Sequence, residues 1–177
     1  MSKRYDDGLI FEWVEDPAHK SAIAREVLAG LPAWFGIPES TAAYVHGVAD
    51  MPFLAAFASS QGVGVVEPAL ATGFMAIKDH GRHASEIYVT GVLSEWHRRG
   101  IGREMVGLAC AWLSTQGKRY LTVKTLAASR PNAEYDRTRL FYQGMGFVEL
   151  EVMPELWGMD NPCSFMAKNL REEPCIV

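Results

Sequence analysis

Apolar residues along the chain change their spacing several times, and each change marks an element. Leu9 to Val14 alternates as a short strand does. Asp16-Pro17 then offers an N-cap followed by proline at the first helical position, where the ring removes no hydrogen bond. Ala22, Ile23, Val27 and Leu28 recur at helical spacing, so a helix is expected over Ala18 to Leu31, ended by Leu31-Pro32. Pro38 starts a second helix to about Ala49, with Ala42, Val45 and Val48 facing inward. Strand character follows in Phe53 to Ala58 and Ala71 to Lys78, a hairpin with a long glycine-bearing connection over Ser59 to Leu70.

His80-Gly81 marks the next turn, and Glu86 to Leu93 is rich in β-branched and aromatic residues, as a central strand is. Gly91 interrupts it, which points to a bulge or to a close approach by another backbone or a ligand. Met105, Leu108, Ala109, Trp112 and Leu113 make the buried face of a helix over Gly102 to Gln116, with Gly117 as its C-terminal cap. Tyr120 to Leu126 reads as a buried strand, Asn132 to Gly144 as a helix, and Phe147 to Met153 and Ser164 to Leu170 as closing strands. The strand–helix–strand unit from Glu86 to Leu126 implies one parallel pair in a mixed α and β chain. No repeat or linker divides residues 1–177, so one domain is expected.

Composition narrows the function. Apolar types are 49% of 177 residues, enough for one well-packed domain, and charged residues are 21% with a net charge of -4. The balance lacks the basic surplus of a nucleic-acid-binding protein. Cys110, Cys163 and Cys175 share no ligand spacing, so neither zinc nor a disulfide framework is expected and a reducing compartment fits. No run approaches the roughly 20 apolar residues of a membrane helix, and the N-terminus lacks the apolar stretch of a signal peptide. A cytoplasmic protein is the expectation.

The chemistry gathers in Val92 to Val106, VLSEWHRRGIGREMV. A strand ends, a short loop carries two glycines one residue apart, and an amphipathic helix begins. The first amides of a helix have no internal partner and its dipole favours negative charge, so the place suits an anion. Gly100 and Gly102 admit phosphate oxygens close to the backbone, and Arg98, Arg99 and Arg103 add charge. The loop lacks the third glycine of GxGxxG and the Lys-Ser/Thr ending of a P-loop, and the same residues also fit a purely structural turn.

The segment His97-Arg98-Arg99-Gly100-Ile101-Gly102 resembles motif A of the GCN5-related N-acetyltransferases, Q/R-x-x-G-x-G/A, with His97 departing at the first place. Arg139 to Phe147, RLFYQGMGF, resembles the family's helix ending in L/F-Y-x-x-x-G-F. The two matches fall in the family's order within about Ala71 to Leu170. The resemblance implies a mostly antiparallel mixed sheet with one splayed parallel pair, flanked by helices. It also implies acetyl-CoA as co-substrate, its pyrophosphate held by His97 to Arg103 and its pantetheine arm by the backbone of Gly91, Val92 and Leu93.

Acylating an amine requires a neutral nitrogen, a donor for the thioester oxygen and a proton for the departing thiolate. The resemblance places a general base at Glu86 and a sulfur-facing acid at Tyr142. The plain alternatives are a strand-end cap at Glu86 and a core aromatic at Tyr142, as Phe141 beside it is expected to be. Glu67, His80 and His83 are weaker candidates for the base, and each is also an ordinary loop residue. The family's acceptor site lies near the first two helices, their loop and the last strands, where Trp34, Phe35, Tyr44 and Trp157 are available to line it. The expected reaction moves an acetyl group to a primary amine, by direct attack in a ternary complex, and a small molecule is the expected acceptor. A peptide or protein amine, or a non-catalytic acyl-CoA sensor, are the alternatives. Phosphoryl transfer is disfavoured, for want of a P-loop lysine and a magnesium-binding acid. By analogy with the homodimers common among such domains, the final strands are the edge along which two copies would pair.

Overall fold

The computed structural model describes residues 2–4, 8–58 and 70–171, the first three by their backbone alone. The 59–69 connection, Glu67 and Cys175 lie outside the described residues. Contacts divide the chain into two compact units, Met1–Ile77 with Val89–Gly107, and Lys78–Tyr88 with Leu108–Val177.

The first unit holds strands β1 (Ser2–Arg4), β2 (Leu9–Val14), β3 (Phe53–Ala58), most of β4 (Leu70–Asp79) and the later part of β5 (Ala84–Val92), in that order. β1 to β4 pair antiparallel, with a register shift between Ala56 and Phe57. Helices α1 (Pro17–Ala29) and α2 (Pro38–Gly47) and the start of α3 (Ile101–Thr115) belong to the same unit. Asp16 caps α1 as expected, its carboxylate accepting from the His19 amide at 2.6 Å, with Pro17 behind it. The buried stripe of α1 is Lys20, Ile23, Ala24, Val27 and Leu28; Ala22 faces solvent instead, because it stands one residue off that face. α2 has no fully buried residue: Ala42 is exposed and Val45 half-buried, while Val48 is buried in a 3-10 turn after it. Phe53 and Phe74 stack at 5.1 Å in the core beneath.

The second unit holds the earlier part of β5, then β6 (Tyr120–Leu126), β8 (Cys163–Asn169) and β7 (Val148–Met153) in spatial order, with α4 (Ala133–Gly144) and the end of α3. β5 and β6 run parallel and the other neighbours antiparallel, so the mixed sheet with one parallel pair is as the sequence implies. The parallel ladder runs from Ala84–Tyr120 to Ile87–Val123 and stops there, although β5 continues to Val92 and β6 to Leu126. Asn132 caps α4, accepting from the amides of Glu134 and Tyr135 at 3.0 and 3.1 Å. Buried Arg139 ties α4 to the end of β6 through the Leu126 carbonyl at 2.6 Å. Tyr142 and Phe147 close this core, with ring centroids 5.3 Å apart. Phe141 stands 36% exposed, against the expectation of a core aromatic, since the helix turns it away from the face that buries Tyr142.

Candidate active site

The loop between β5 and α3 is shaped by its backbone. Arg98 adopts φ +65° and Gly100 φ +82°, two left-handed turns with one residue between them. A side chain at Gly100 would meet nothing within 4 Å, so the space beside its Cα is open to a ligand. The Glu104 amide makes the first helical bond, to the Gly100 carbonyl at 2.9 Å, leaving the Ile101, Gly102 and Arg103 amides ahead of the ladder. These donors and that opening fit a diphosphate.

Side chains brace the loop. His97 Nε2 donates to the Val92 carbonyl at 2.7 Å, and its ring meets the edge of Trp34 at 5.9 Å. The Arg99 guanidinium lies 4.5 Å over the Trp96 ring. Thus His97, which departs from the Gln/Arg of the motif, fastens the loop to the end of β5. Arg98, Arg99 and Arg103 are exposed.

Gly91 has a packing reason. A Cβ there would lie 2.8 Å from Leu31 Cδ1 and 3.3 Å from Val27 Cγ1, both at the end of α1 or just after it. Its own carbonyl is 2.8 Å from where a Cβ of Gly73 would stand. The Leu93 amide donates to Thr72 O at 2.9 Å, which removes it from the donors expected to serve a cofactor.

In the second unit Glu86 is 6% exposed, and its Oε2 meets two cation-forming groups. His80 Nε2 stands at 2.6 Å and Lys124 Nζ at 2.7 Å. His80 comes from the turn after β4 and Lys124 from β6, the first residue beyond the end of the parallel ladder. His80, a weaker candidate for the base, is therefore joined to the stronger one, and Lys124 is a partner the sequence did not mark. His83 contributes backbone only, its carbonyl accepting from the Arg119 and Tyr120 amides.

Tyr142 is 4% exposed, and burial, with Tyr135 adding to it, pushes its phenol well above the ordinary tyrosine value. It stays protonated across the physiological range, so its hydroxyl keeps a proton to donate. Burial also pushes the Cys163 thiol up to about 11 and raises Cys110, so neither is a thiolate at neutral pH.

The aromatic candidates divide. Phe35 meets Tyr44 edge-on at 6.0 Å. Phe35 also lines a recess of about 560 Å³ between α1 and α2, with Arg25, Thr41, Val45 and His46. Trp34 packs on His97 as described. Trp157 is 39% exposed in the turn between β7 and β8. Among the described residues no helix is long and apolar enough to cross a membrane.

Residues 56–149, more than half of the chain, match the model of the acetyltransferase (GNAT) domain. Among curated proteins none matches. Solved structures share the fold. A protein of Desulfovibrio desulfuricans classed with the GNAT family superposes with TM-score 0.74 at 16% identity, over 92% of this chain and 99% of that one. An aminoglycoside 6'-N-acetyltransferase complexed with coenzyme A gives 0.66 at 17%, over 93% and 98%. The ribosomal-protein-S18-alanine N-acetyltransferase of Escherichia coli gives 0.67 at 14%, over 96% and 98%.

Proposed function

The chain belongs to the GNAT acetyltransferase family, and from that premise we propose that it acetylates a primary amine of a small molecule, by direct attack in a ternary complex. The observation that carries the reading is the β5–α3 loop, with its left-handed Arg98 and Gly100 and its unladdered amides. Acetyl-CoA, when bound, supplies the acetyl group as a thioester. The amides of Ile101, Gly102 and Arg103 hold the diphosphate, with Arg98 and Arg103 screening its charge. Arg99, stacked on Trp96, stiffens the loop more than it grips the ligand.

An amine with pKa near ~10.4 arrives as ammonium and must lose a proton before it attacks. Glu86, a buried carboxylate, takes it. Tyr142 donates to the departing sulfur; because its phenol is raised, the proton moves only as negative charge grows there. Direct attack is supported by the two protonated thiols, which are poor relays. For the acceptor the reading looks to the open recess between α1 and α2, which includes Phe35.

Thiol release from acetyl-CoA, followed across small amines and peptides with free amino termini, tests the reading. Turnover with small amines is expected; turnover with peptides alone would move the acceptor to protein, and coenzyme A binding without any turnover would mark a sensor. Tyr142→Phe should lower kcat by roughly 10- to 1000-fold while acetyl-CoA still binds. Unchanged kcat removes Tyr142 from the chemistry.

A further inference from the structure

We propose that His80 is the proton outlet of Glu86, a positioning and relay residue through which each proton taken from the acceptor amine reaches solvent. The inference rests on the reading of Glu86 as the base. A buried base must give back one proton per turnover, and Glu86 has only 8% of its side chain exposed. Two groups touch its Oε2. Lys124, as an ammonium, carries three donors and no lone pair, so it balances the carboxylate but cannot accept from it. His80 can: its Nε2 is 2.6 Å from the same oxygen, and its side chain is 38% exposed on a hairpin turn. One imidazole therefore spans the distance from the buried oxygen to water.

Among the described residues, the other ionisable groups facing the pair do not offer a second route. Cys163 on β8 is influenced by both Lys124 and Glu86, and it remains a thiol. Asp79 precedes His80 in the chain but is engaged by Lys118 Nζ at 2.5 Å, which with its other contacts holds that carboxyl below its usual value.

The step balances as proton transfer alone. The N–H bond of the substrate ammonium breaks and an O–H bond forms on Glu86. That O–H bond breaks as an N–H bond forms at His80 Nε2, which accepts when the neutral ring is the Nδ1–H tautomer. The imidazolium then yields one proton to water or a buffer base, and exchange with solvent at the part-exposed ring restores that tautomer before the next turnover. No electron pair leaves the protein and no redox partner is required.

His80→Gln keeps an amide donor for the Glu86 oxygen but has no titrating nitrogen, whereas His80→Ala leaves a gap open to solvent. Both should fold, since the residue is half out of the protein. The expected result is a fall in kcat of about 10- to 100-fold in each, an unchanged KM for acetyl-CoA, and saturable recovery of His80→Ala by added imidazole. The acidic limb of the wild-type pH profile should also change shape in His80→Gln. Wild-type kcat and pH profile in His80→Gln, or no response of His80→Ala to imidazole, overturns the relay. Glu86→Gln separates the two readings. If it is inactive while His80→Gln is normal, only the relay fails; if Glu86→Gln itself turns over normally, the base assignment fails and takes the relay with it.

Discussion

Between Trp96 and Arg103 the groups aimed at an anion are amides of consecutive residues, set by two left-handed turns. Around Glu86 they are side chains drawn from positions 80, 86 and 124, Lys124 brought there by the register of β5 on β6 and His80 by the turn that leads from β4 into β5. The first arrangement is exposed, local and made of backbone. The second is buried, non-local and made of charge. Local backbone geometry tolerates a change of side chain so long as φ is kept, whereas a buried carboxylate held by an ammonium and an imidazole tolerates almost none.

That contrast can be broken by mutation. Glu86→Gln should cause the largest loss, about 10²- to 10⁴-fold in kcat/KM with coenzyme A affinity unchanged; a parallel loss of affinity, read by calorimetry, would mean the two regions are not separable. Gly100→Glu should weaken acetyl-CoA by about 100-fold, roughly 2.8 kcal/mol at 1.4 kcal/mol per tenfold. Its side chain meets open space, so the melting temperature should hardly move beyond the strain of a left-handed residue. Arg99→Ala should weaken acetyl-CoA less than about 10-fold, because its guanidinium rests on Trp96. A loss equal to that of Gly100→Glu would make the loop a charge site after all.

The smallest effect concerns pH. Tyr142 has its phenol raised, so the folded protein binds that proton more tightly than the unfolded chain does. Stability from this group is present below the unfolded value near ~10 and declines as pH rises past it. Turnover should therefore show no basic limb from Tyr142 below pH ~10; Tyr142→Phe should remove part of the alkaline loss in urea melts. A basic limb near neutrality that vanishes in Tyr142→Phe would contradict the burial argument.

The same contrast explains what was legible in the chain. The loop was readable because its glycines, arginines and following helix are contiguous. Asp16-Pro17 and Asn132 announced their helices for the same reason. Glu86 was visible only through family resemblance, and Lys124 was not visible at all. Glu86 faces Thr122 across the ladder, and period two then brings Lys124 onto the same side as Thr122. That register is a tertiary fact. Periodicity also misplaced Ala22 and Ala42, and nearness to Tyr142 misplaced Phe141; each stands beside a face whose exact edge is set by what packs on it.

The paired glycines of β4 and β5 impose an order on how this protein can change over evolutionary time. At Gly91 the obstacles are side-chain ends, Leu31 Cδ1 at 2.8 Å and Val27 Cγ1 at 3.3 Å, so a substitution becomes easier once Leu31 has moved aside or shrunk. At Gly73 the obstacle is a carbonyl oxygen of the neighbouring strand, which no trimming of side chains can move. One site is thus open to mutation wherever its side-chain neighbours yield, and its neighbour is closed on every route that keeps the strands where they are.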